Sequence, residues 1–193
     1  NRVAIQNLSV SGDATFNSAI DVQNLTIGAD AVFGAGVNAQ SLTVTGNAEL
    51  FANVITLDAQ AYRGALNMNA DITLSGSDIS VGSVDGGYGL TVAADRFTTG
   101  DIGLNTALAQ LDVHSLSGFT LQNVMVDGDV SLLSNGEISG NQKIDISGNL
   151  LVDTANDVRL MSEFNDFNSA DIKARNATLR SSSSIMLNSA TTS

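Results

Sequence analysis

Apolar and polar residues alternate along this chain in short segments. Leu8-Ser9-Val10, Ile72-Thr73-Leu74 and Val130-Ser131-Leu132 each place two apolar side chains on one face and a polar side chain on the other. This period of two is typical of β-strands, in which successive side chains point to opposite faces. Gly, Asn, Asp and Ser separate the segments and favour turns. The pattern predicts an all-β protein made of many very short strands.

The first segments also repeat at a fixed interval. Asn7-Leu8-Ser9-Val10 returns as Asn24-Leu25-Thr26-Ile27 and as Ser41-Leu42-Thr43-Val44, with offsets of 24 − 7 = 17 and 41 − 24 = 17. The same interval aligns further residues of equal size: Ala14 with Ala31 and Ala48, Phe16 with Phe33 and Leu50, and Ile20 with Val37 and Val54. A fixed period with strand chemistry indicates a stacked solenoid. We therefore expect Leu8, Leu25 and Leu42 to lie one above the other.

These patterns predict a right-handed parallel β-helix (β-solenoid) of about ten coils, at roughly 19 residues per coil. It forms a single elongated domain over residues 1–193, and its coils lengthen to roughly 20 residues beyond position 50. Sandwiches and barrels agree less well with the sequence, because their hairpins join strands of about 5–6 residues. We expect lateral loops at 82–89 and 163–169 and a polar corner at 181–184.

Composition agrees with this fold. The chain of 193 residues is 43% hydrophobic but only 5% aromatic, so its core must be aliphatic, and it has no Pro and no Cys. Proline would remove a hydrogen-bond donor from a strand that has neighbours on both sides. No apolar run approaches the ~20 residues of a membrane-spanning helix. We expect no membrane insertion.

Charge is strongly negative and unevenly distributed. Twenty acidic residues face eight basic ones, which gives a net charge of −12. No Lys or Arg occurs between Val3 and Tyr62, whereas five of the eight basic residues lie at or after Lys143. Nucleic-acid binding requires a basic surface. We expect no nucleic-acid partner.

Both ends of the sequence have the pattern of core strands, Val3-Ala4-Ile5 at one end and Ile185-Met186-Leu187 at the other. An open solenoid end exposes an unpaired strand edge. We expect the chain to be a segment of a longer rod, or a filament subunit that stacks end to end on copies of itself.

Three stretches carry a resemblance to a known family: Gly64-Ala-Leu-Asn-Met-Asn-Ala-Asp-Ile-Thr-Leu-Ser-Gly76, Gly89-Leu-Thr-Val92 and Ala177-Thr-Leu-Arg-Ser-Ser-Ser-Ser-Ile-Met-Leu187. In rhythm and composition the chain resembles the filamentous-haemagglutinin-type surface adhesins of bacteria, which are exported by two-partner secretion, and also autotransporter passenger stalks. The resemblance implies a secreted, cell-surface or outer-membrane-associated fibre for attachment, aggregation or display of a tip domain. It also implies a host or cell-surface receptor or glycan as a partner.

Several residue sets were weighed for chemistry. Asp112 and His114 share an outward face, but no Gly-x-Ser-x-Gly nucleophile motif accompanies them. Asp127 with Asp129, and Asp153 with Asp157, offer carboxylate pairs, although calcium requires six to eight oxygen ligands. Asp95-Arg96 with Asp101, and Asp145 with Arg159, are the residues that a polysaccharide lyase or hydrolase of β-helix fold would use. Tyr62 and Tyr88 stand alone, without a platform for sugar rings.

The sequence therefore assigns no catalytic, cofactor-binding or metal-binding residue and no cofactor, and it favours a non-enzymatic protein. Three alternatives stay open: a structural or adhesive fibre segment, a self-assembling filament subunit, and a β-helix lyase or hydrolase. The formal glycosylation sequons at Asn7, Asn24 and Asn176 are expected to serve structure, because Asn7 and Asn24 are 17 residues apart and would stack as a ladder.

Overall fold

A computed structural model describes residues 5–192, with side chains over 5–187. Val3 and Ala4, part of the first predicted strand, lie outside the described residues. Within that range the chain contains twenty strands and no helix. The strands are β1 (Ile5–Val10), β2 (Ala14–Phe16), β3 (Ile20–Ile27), β4 (Ala31–Phe33), β5 (Val37–Val44), β6 (Ala48–Leu50), β7 (Val54–Thr56), β8 (Ala59–Met68), β9 (Ile72–Asp85), β10 (Gly89–Thr99), β11 (Gln110–Ser115), β12 (Phe119–Leu121), β13 (Val124–Val126), β14 (Val130–Ser134), β15 (Ile138–Gly140), β16 (Ile144–Thr154), β17 (Asp157–Leu160), β18 (Asp166–Ala174), β19 (Asn176–Leu179) and β20 (Met186–Thr192).

The strands stack in parallel from one coil to the next, which confirms the β-solenoid of about ten coils. Leu8 pairs with Leu25, and Leu25 pairs with Leu42. The other predicted alignments hold as well, including Ala14 with Ala31 and Ile20 with Val37. The 17-residue period is therefore the length of one coil.

Some strands are longer than the three residues that the alternation predicts. β3 covers eight residues and β9 covers fourteen, because two short segments join around a bend without losing their hydrogen bonds. Each of the early coils has three such segments, for example Ile20–Val22, Leu25–Ile27 and Ala31–Phe33. At each bend the alternation of inward and outward side chains is interrupted. A polar or small residue, such as Asn24, takes a position where strict alternation would place a buried side chain.

Stacked rows of inward side chains form a continuous, mainly aliphatic core along the described rod. Aromatic rings occur in it only where the rows have room. Phe16 stacks on Phe33 with ring centroids 5.5 Å apart, and Phe97 meets Phe119 edge-on at 6.2 Å. A side chain within a row packs against one neighbour in the coil above and one in the coil below, and the rows of β12, β15, β17 and β19 belong to the last coils alone.

The coils lengthen along the chain, as predicted. Leu42 pairs with Gln60 (60 − 42 = 18), and Leu90 pairs with Leu111 (111 − 90 = 21). The first lengthening brings Gln60 into a row that is otherwise apolar. Gln60 is fully buried, donates from Nε2 to the Val54 carbonyl at 3.1 Å and to the Ser75 carbonyl at 2.6 Å, and accepts from the Tyr62 hydroxyl at 3.2 Å. It pairs backbone groups that the changed coil length leaves without a ladder partner.

The loops differ in part from those expected. Of the predicted loop at 82–89, only residues 86–88 leave the strands, and Gly86 has a φ of 132°. A longer excursion that the sequence did not predict lies between β10 and β11. It turns at Gly103, whose φ is 74°, and the carboxylate of Asp85 anchors it by accepting the Asn105 amides at 2.8 Å. The polar corner at 181–184 lies outside the strands, as predicted.

Candidate functional site

The residues weighed for catalysis lie on the surface but in separate places. Asp112 and His114 both point outward from β11, as predicted, yet they make no hydrogen bond or ion pair with each other. Arg96 forms an ion pair with Asp78, one coil away. Asp101 accepts hydrogen bonds from the backbone and side-chain amides of Asn123 at 3.1 and 2.9 Å.

The second lyase-type pair is not joined either. Asp145 binds Lys143 at 2.7 Å, whereas Arg159 binds Asp157 at 3.1 Å and approaches Glu137 at 3.6 Å. These carboxylates are thus engaged in separate ion pairs rather than facing each other across a cleft, and the hypothesis of a lyase or hydrolase gains no support from them.

The carboxylate pairs weighed for metal binding serve the stacking. Asp129 accepts the backbone N–H of Asn149 at 2.8 Å, and Asp153 binds Lys173 at 3.3 Å. Over the part of the chain that the structure describes, no group of three or more acidic or histidine side chains is arranged to hold a metal ion.

The asparagine ladder is present at the surface. Asn24 donates to the side-chain oxygen of Asn7 at 2.8 Å, and Ser41 donates to that of Asn24 at 2.7 Å. Asn176 donates to Asp157 at 2.9 Å. All three sequon asparagines are therefore engaged in hydrogen bonds between coils.

The most elaborate surface region lies over the last coils. One hollow of about 820 Å³ is bordered by Gln142, Phe164 and Arg180, and a second of about 590 Å³ lies over Ser139, Arg159 and Thr178. Asn141 and Met161 border both hollows, so the two form one continuous depression, which we call the C-terminal groove. Its larger hollow reaches from Asn123 to Arg180 across four coils, which is roughly 14 Å at the ~4.8 Å spacing of strands.

A tight turn at residues 161–165 forms one wall of this groove. It overlaps the stretch 163–169 that was expected to loop out at residues 163–165 only, because the chain is a strand again from Asp166. The turn presents Phe164, which is 64% exposed, beside the polar side chains of the groove. The sequence analysis found no aromatic platform because it considered only tyrosines, and Tyr62 is in fact buried.

The turn is held by Asn165, a residue that the sequence analysis missed. Asn165 is fully buried. Its Oδ1 accepts the Ile144 N–H at 2.9 Å, while its Nδ2 donates to the carbonyls of Leu160 and Arg180 at 3.3 and 3.1 Å. One amide thus joins three successive coils. The interrupted alternation at Glu163 was the available signal, but nothing in the sequence distinguishes this asparagine from the exposed Asn168 nearby.

Paired charges stabilise the other wall of the groove. The side chain of Asp157 is only 10% exposed and receives hydrogen bonds from Arg175 and Asn176, both at 2.9 Å, and from Arg159 at 3.1 Å. These donors hold the pKa of Asp157 far below its usual range, because they stabilise the carboxylate form. Arg159 and Arg175 are therefore neutralised within the protein.

Arg180 differs from these arginines. It is exposed at the edge of the groove, and within the described residues its guanidinium has no acidic partner and no hydrogen bond. Asn141 and Gln142 are exposed too, and their amides make no hydrogen bond to any described residue. The groove thus combines an exposed ring, an uncompensated cation and two available amides.

A second, smaller depression of about 410 Å³ lies over the middle coils. Leu57 and Leu116 flank it, with small residues such as Gly76 and Ala93 between them and His114 at the edge. Leu57 is 78% exposed. Its other polar side chains are Thr56, Ser75, Ser77 and Asp95, and neither a phenylalanine nor a tyrosine lines it.

Among the described residues, the chain has no helix that is long and apolar enough to cross a membrane.

Comparison with known proteins yields no matching family model, no similar curated protein and no similar solved structure.

Proposed function

We propose that this chain is a structural and adhesive segment of a secreted bacterial surface fibre of the filamentous-haemagglutinin type. The observation that carries the proposal is the uninterrupted stack of about ten coils on one continuous core. Such a rod transmits force along its axis and displays a long lateral surface, and each coil depends only on its neighbours.

The outward-facing chemistry agrees with an extended, repetitive role. Much of the polar surface of the first coils is used to join one coil to the next, as in the ladder from Asn7 through Asn24 to Ser41. An acidic exterior with a net charge of −12 keeps neighbouring fibres apart by repulsion. Both features suit a protein exposed at high density on a cell surface.

The test is to locate the protein on the cells that make it and to measure attachment. Antibodies raised against residues 1–193 should label intact cells, and deletion of the gene should reduce the attachment or aggregation of those cells. Labelling only after the cells are broken open would contradict the proposal.

A filament subunit is the second candidate, because core side chains are still accessible at both ends of the described stack. At the first coil Ile5, Leu8 and Phe16 border a hollow of about 620 Å³ that also has polar side chains such as Asn17, and at the last coil Leu187 is 57% exposed. A second copy seated on such an end would cover these side chains and extend the parallel hydrogen bonds.

End-to-end assembly predicts that the purified chain sediments as larger species at higher concentration and forms thin filaments in electron micrographs. Charged substitutions at the first coil, such as Leu8→Lys, should abolish the filaments. A monomer at all concentrations would contradict this candidate and leave the adhesive fibre standing.

A further inference from the structure

We propose that the C-terminal groove binds a carboxylated glycan, with Phe164 under a sugar ring and Arg180 on the sugar carboxylate. The ligand class is an oligosaccharide that carries isolated carboxylates, such as a sialylated or uronic-acid-containing chain. The inference rests on the proposed adhesive function, since it supplies the surface receptor that an adhesin needs.

The first argument is the placement of Phe164. A phenylalanine ring that is 64% exposed loses the benefit of burial, and here the ring belongs to a turn whose last residue is fixed in the core. That residue is Asn165, the direct neighbour of Phe164, and its side chain makes three hydrogen bonds that join three coils. A ring presented so rigidly is suited to stack on the C–H face of a sugar, because the negative face of the ring attracts the weakly positive C–H groups.

The second argument is the state of Arg180. In a chain of net charge −12, most arginines near the groove are already neutralised, as Arg159 and Arg175 are by Asp157. Arg180 has no such partner among the described residues, and it borders the same hollow as Phe164. A guanidinium binds a carboxylate through two parallel hydrogen bonds, which makes it a selective partner for an acidic sugar.

The third argument is the polar rim. Sugar hydroxyls need partners that both donate and accept hydrogen bonds, and the amides of Asn141 and Gln142 do both. Both amides border the hollow and make no hydrogen bond to a described residue. A ligand can therefore bind them without breaking a bond within the protein.

The acidic residues of the groove restrict the ligand further. Glu163 lies in the turn beside Phe164, and Glu137 and Asp157 lie in the second hollow. Because Arg159 and Arg175 already pair with Glu137 and Asp157, a densely sulfated polymer would find no available cation in the second hollow, and Glu163 would repel it beside Arg180. An oligosaccharide with one carboxylate among neutral sugars can place its charge on Arg180 and its uncharged units elsewhere.

The experiment uses the whole purified chain and titrates it with three probes: sialyllactose, a disaccharide that contains glucuronic acid, and lactose. Binding is followed by calorimetry and by chemical-shift changes of backbone amides. We expect at least one acidic probe to bind about tenfold or more tightly than lactose, with shifts centred on 141–143, 161–165 and 180–182. The acidic probe that binds more tightly shows whether the carboxylate of the ligand belongs to a sialic acid or to a uronic acid.

Two substitutions and two matched controls locate the site. Phe164→Ala and Arg180→Gln should each weaken binding of the acidic probe about tenfold or more, and Arg180→Gln should leave lactose binding unchanged. Phe51→Ala and Arg63→Gln alter an exposed phenylalanine and an arginine on distant coils and should change nothing. Unchanged circular dichroism and unfolding midpoints show that the variants fold, as expected for exposed side chains.

The proposal is overturned if neither acidic probe binds, if lactose binds as tightly as they do, or if Phe164→Ala has no effect. Saturation of the groove by a peptide or protein, with no response to the acidic sugars, also overturns it. Cells that attach normally although the purified chain binds no acidic sugar would reject this site but not the fibre. If the purified chain binds an acidic sugar but the protein is absent from the cell surface, the proposed surface fibre is rejected and the proposed glycan site stands.

Discussion

The first coils and the last coils of this rod use their polar residues in different ways. In the 17-residue coils, Asp13 and Asp30 accept the backbone N–H groups of the aligned residues one coil later, at 3.1 and 2.7 Å. In the longer coils near the end, the carboxylate of Asp157 is bound by Arg159 and Arg175. Aspartates accept backbone N–H groups in the longer coils too, as Asp129 does from Asn149, so the difference lies in the ion pairs. The last coils add arginine partners, which the first coils do not have because no Lys or Arg occurs between Val3 and Tyr62.

The first and the last coils also differ in the polar side chains that they bury. In the first three coils the row of Leu8, Leu25 and Leu42 is apolar, and these residues pair in register from one coil to the next. Buried amides occur where coil lengths change, at Gln60 and at Asn165. In this rod the two buried amides therefore mark places where the coil length changes, because such a change alters which backbone groups meet their ladder partners.

The largest expected effect tests the regular region. Leu42→Ala should lower the free energy of unfolding by about 3–4 kcal/mol, because a fully buried leucine leaves a cavity between two coils. Urea unfolding followed by circular dichroism measures the change. Leu57→Ala removes an exposed leucine and should stay within about 0.5 kcal/mol of the original chain. An equal loss in both variants would contradict the assignment of the core.

The next effect tests the irregular region at the groove. Asn165→Ala should cost about 2–3 kcal/mol, because the Ile144 N–H and the Arg180 carbonyl lose the partner that Asn165 supplies, while the Leu160 carbonyl keeps the Arg180 N–H at 2.9 Å. Amide hydrogen exchange should show faster exchange at Ile144 in particular. Asn168→Ala, which changes an exposed asparagine of the same segment, is the control and should leave both measurements unchanged.

A smaller effect is expected where the coils first lengthen. Gln60→Leu would make the inner row fully apolar, yet we expect it to lower stability by about 1–2 kcal/mol. The buried carbonyl of Val54 would lose the Gln60 donor, and that of Ser75 would keep the Thr56 hydroxyl at 3.5 Å as its side-chain donor. Thermal or urea unfolding measures the loss, and Gln110→Leu serves as an exposed control. A gain in stability from Gln60→Leu would refute the link between buried amides and coil length.

The smallest effect concerns pH. Because its pKa is lowered in the folded state, Asp157 contributes stability that is present above its unfolded pKa of about 3.9 and is lost as pH falls through the folded value. Asp157→Asn should therefore unfold at a lower urea midpoint than the original chain at pH 7, and the gap should narrow steadily at acid pH. Asp127→Asn, at an exposed position, should give a difference that does not change with pH. A constant gap for Asp157→Asn would contradict the role of the ion pairs.

Much of the fold could be predicted because the sequence patterns that specify it are short and recur at a fixed interval. Alternation identifies the strands, and the spacing of Leu8, Leu25 and Leu42 gives the register directly. The excursion at 100–109 could not be predicted in this way, because Ile102 and Leu108 keep their places in the stack while the residues between them leave it. The groove was missed for a related reason: Phe164 and Arg180 are separated in sequence and meet only through stacking.

The sequence by itself determined the strand period, the length of the first coils, the aliphatic core and the lack of basic residues between Val3 and Tyr62. Each of these follows from residue type and spacing. In a stacked repeat of constant length, residues one period apart in the sequence lie one above the other in the structure. Only the tertiary structure decided which polar residues are buried, which arginines are neutralised and which remain available. These properties depend on which side chains of neighbouring coils lie next to each other. Because the coil length varies in the second part of the chain, the spacing of residues in the sequence does not give these neighbours.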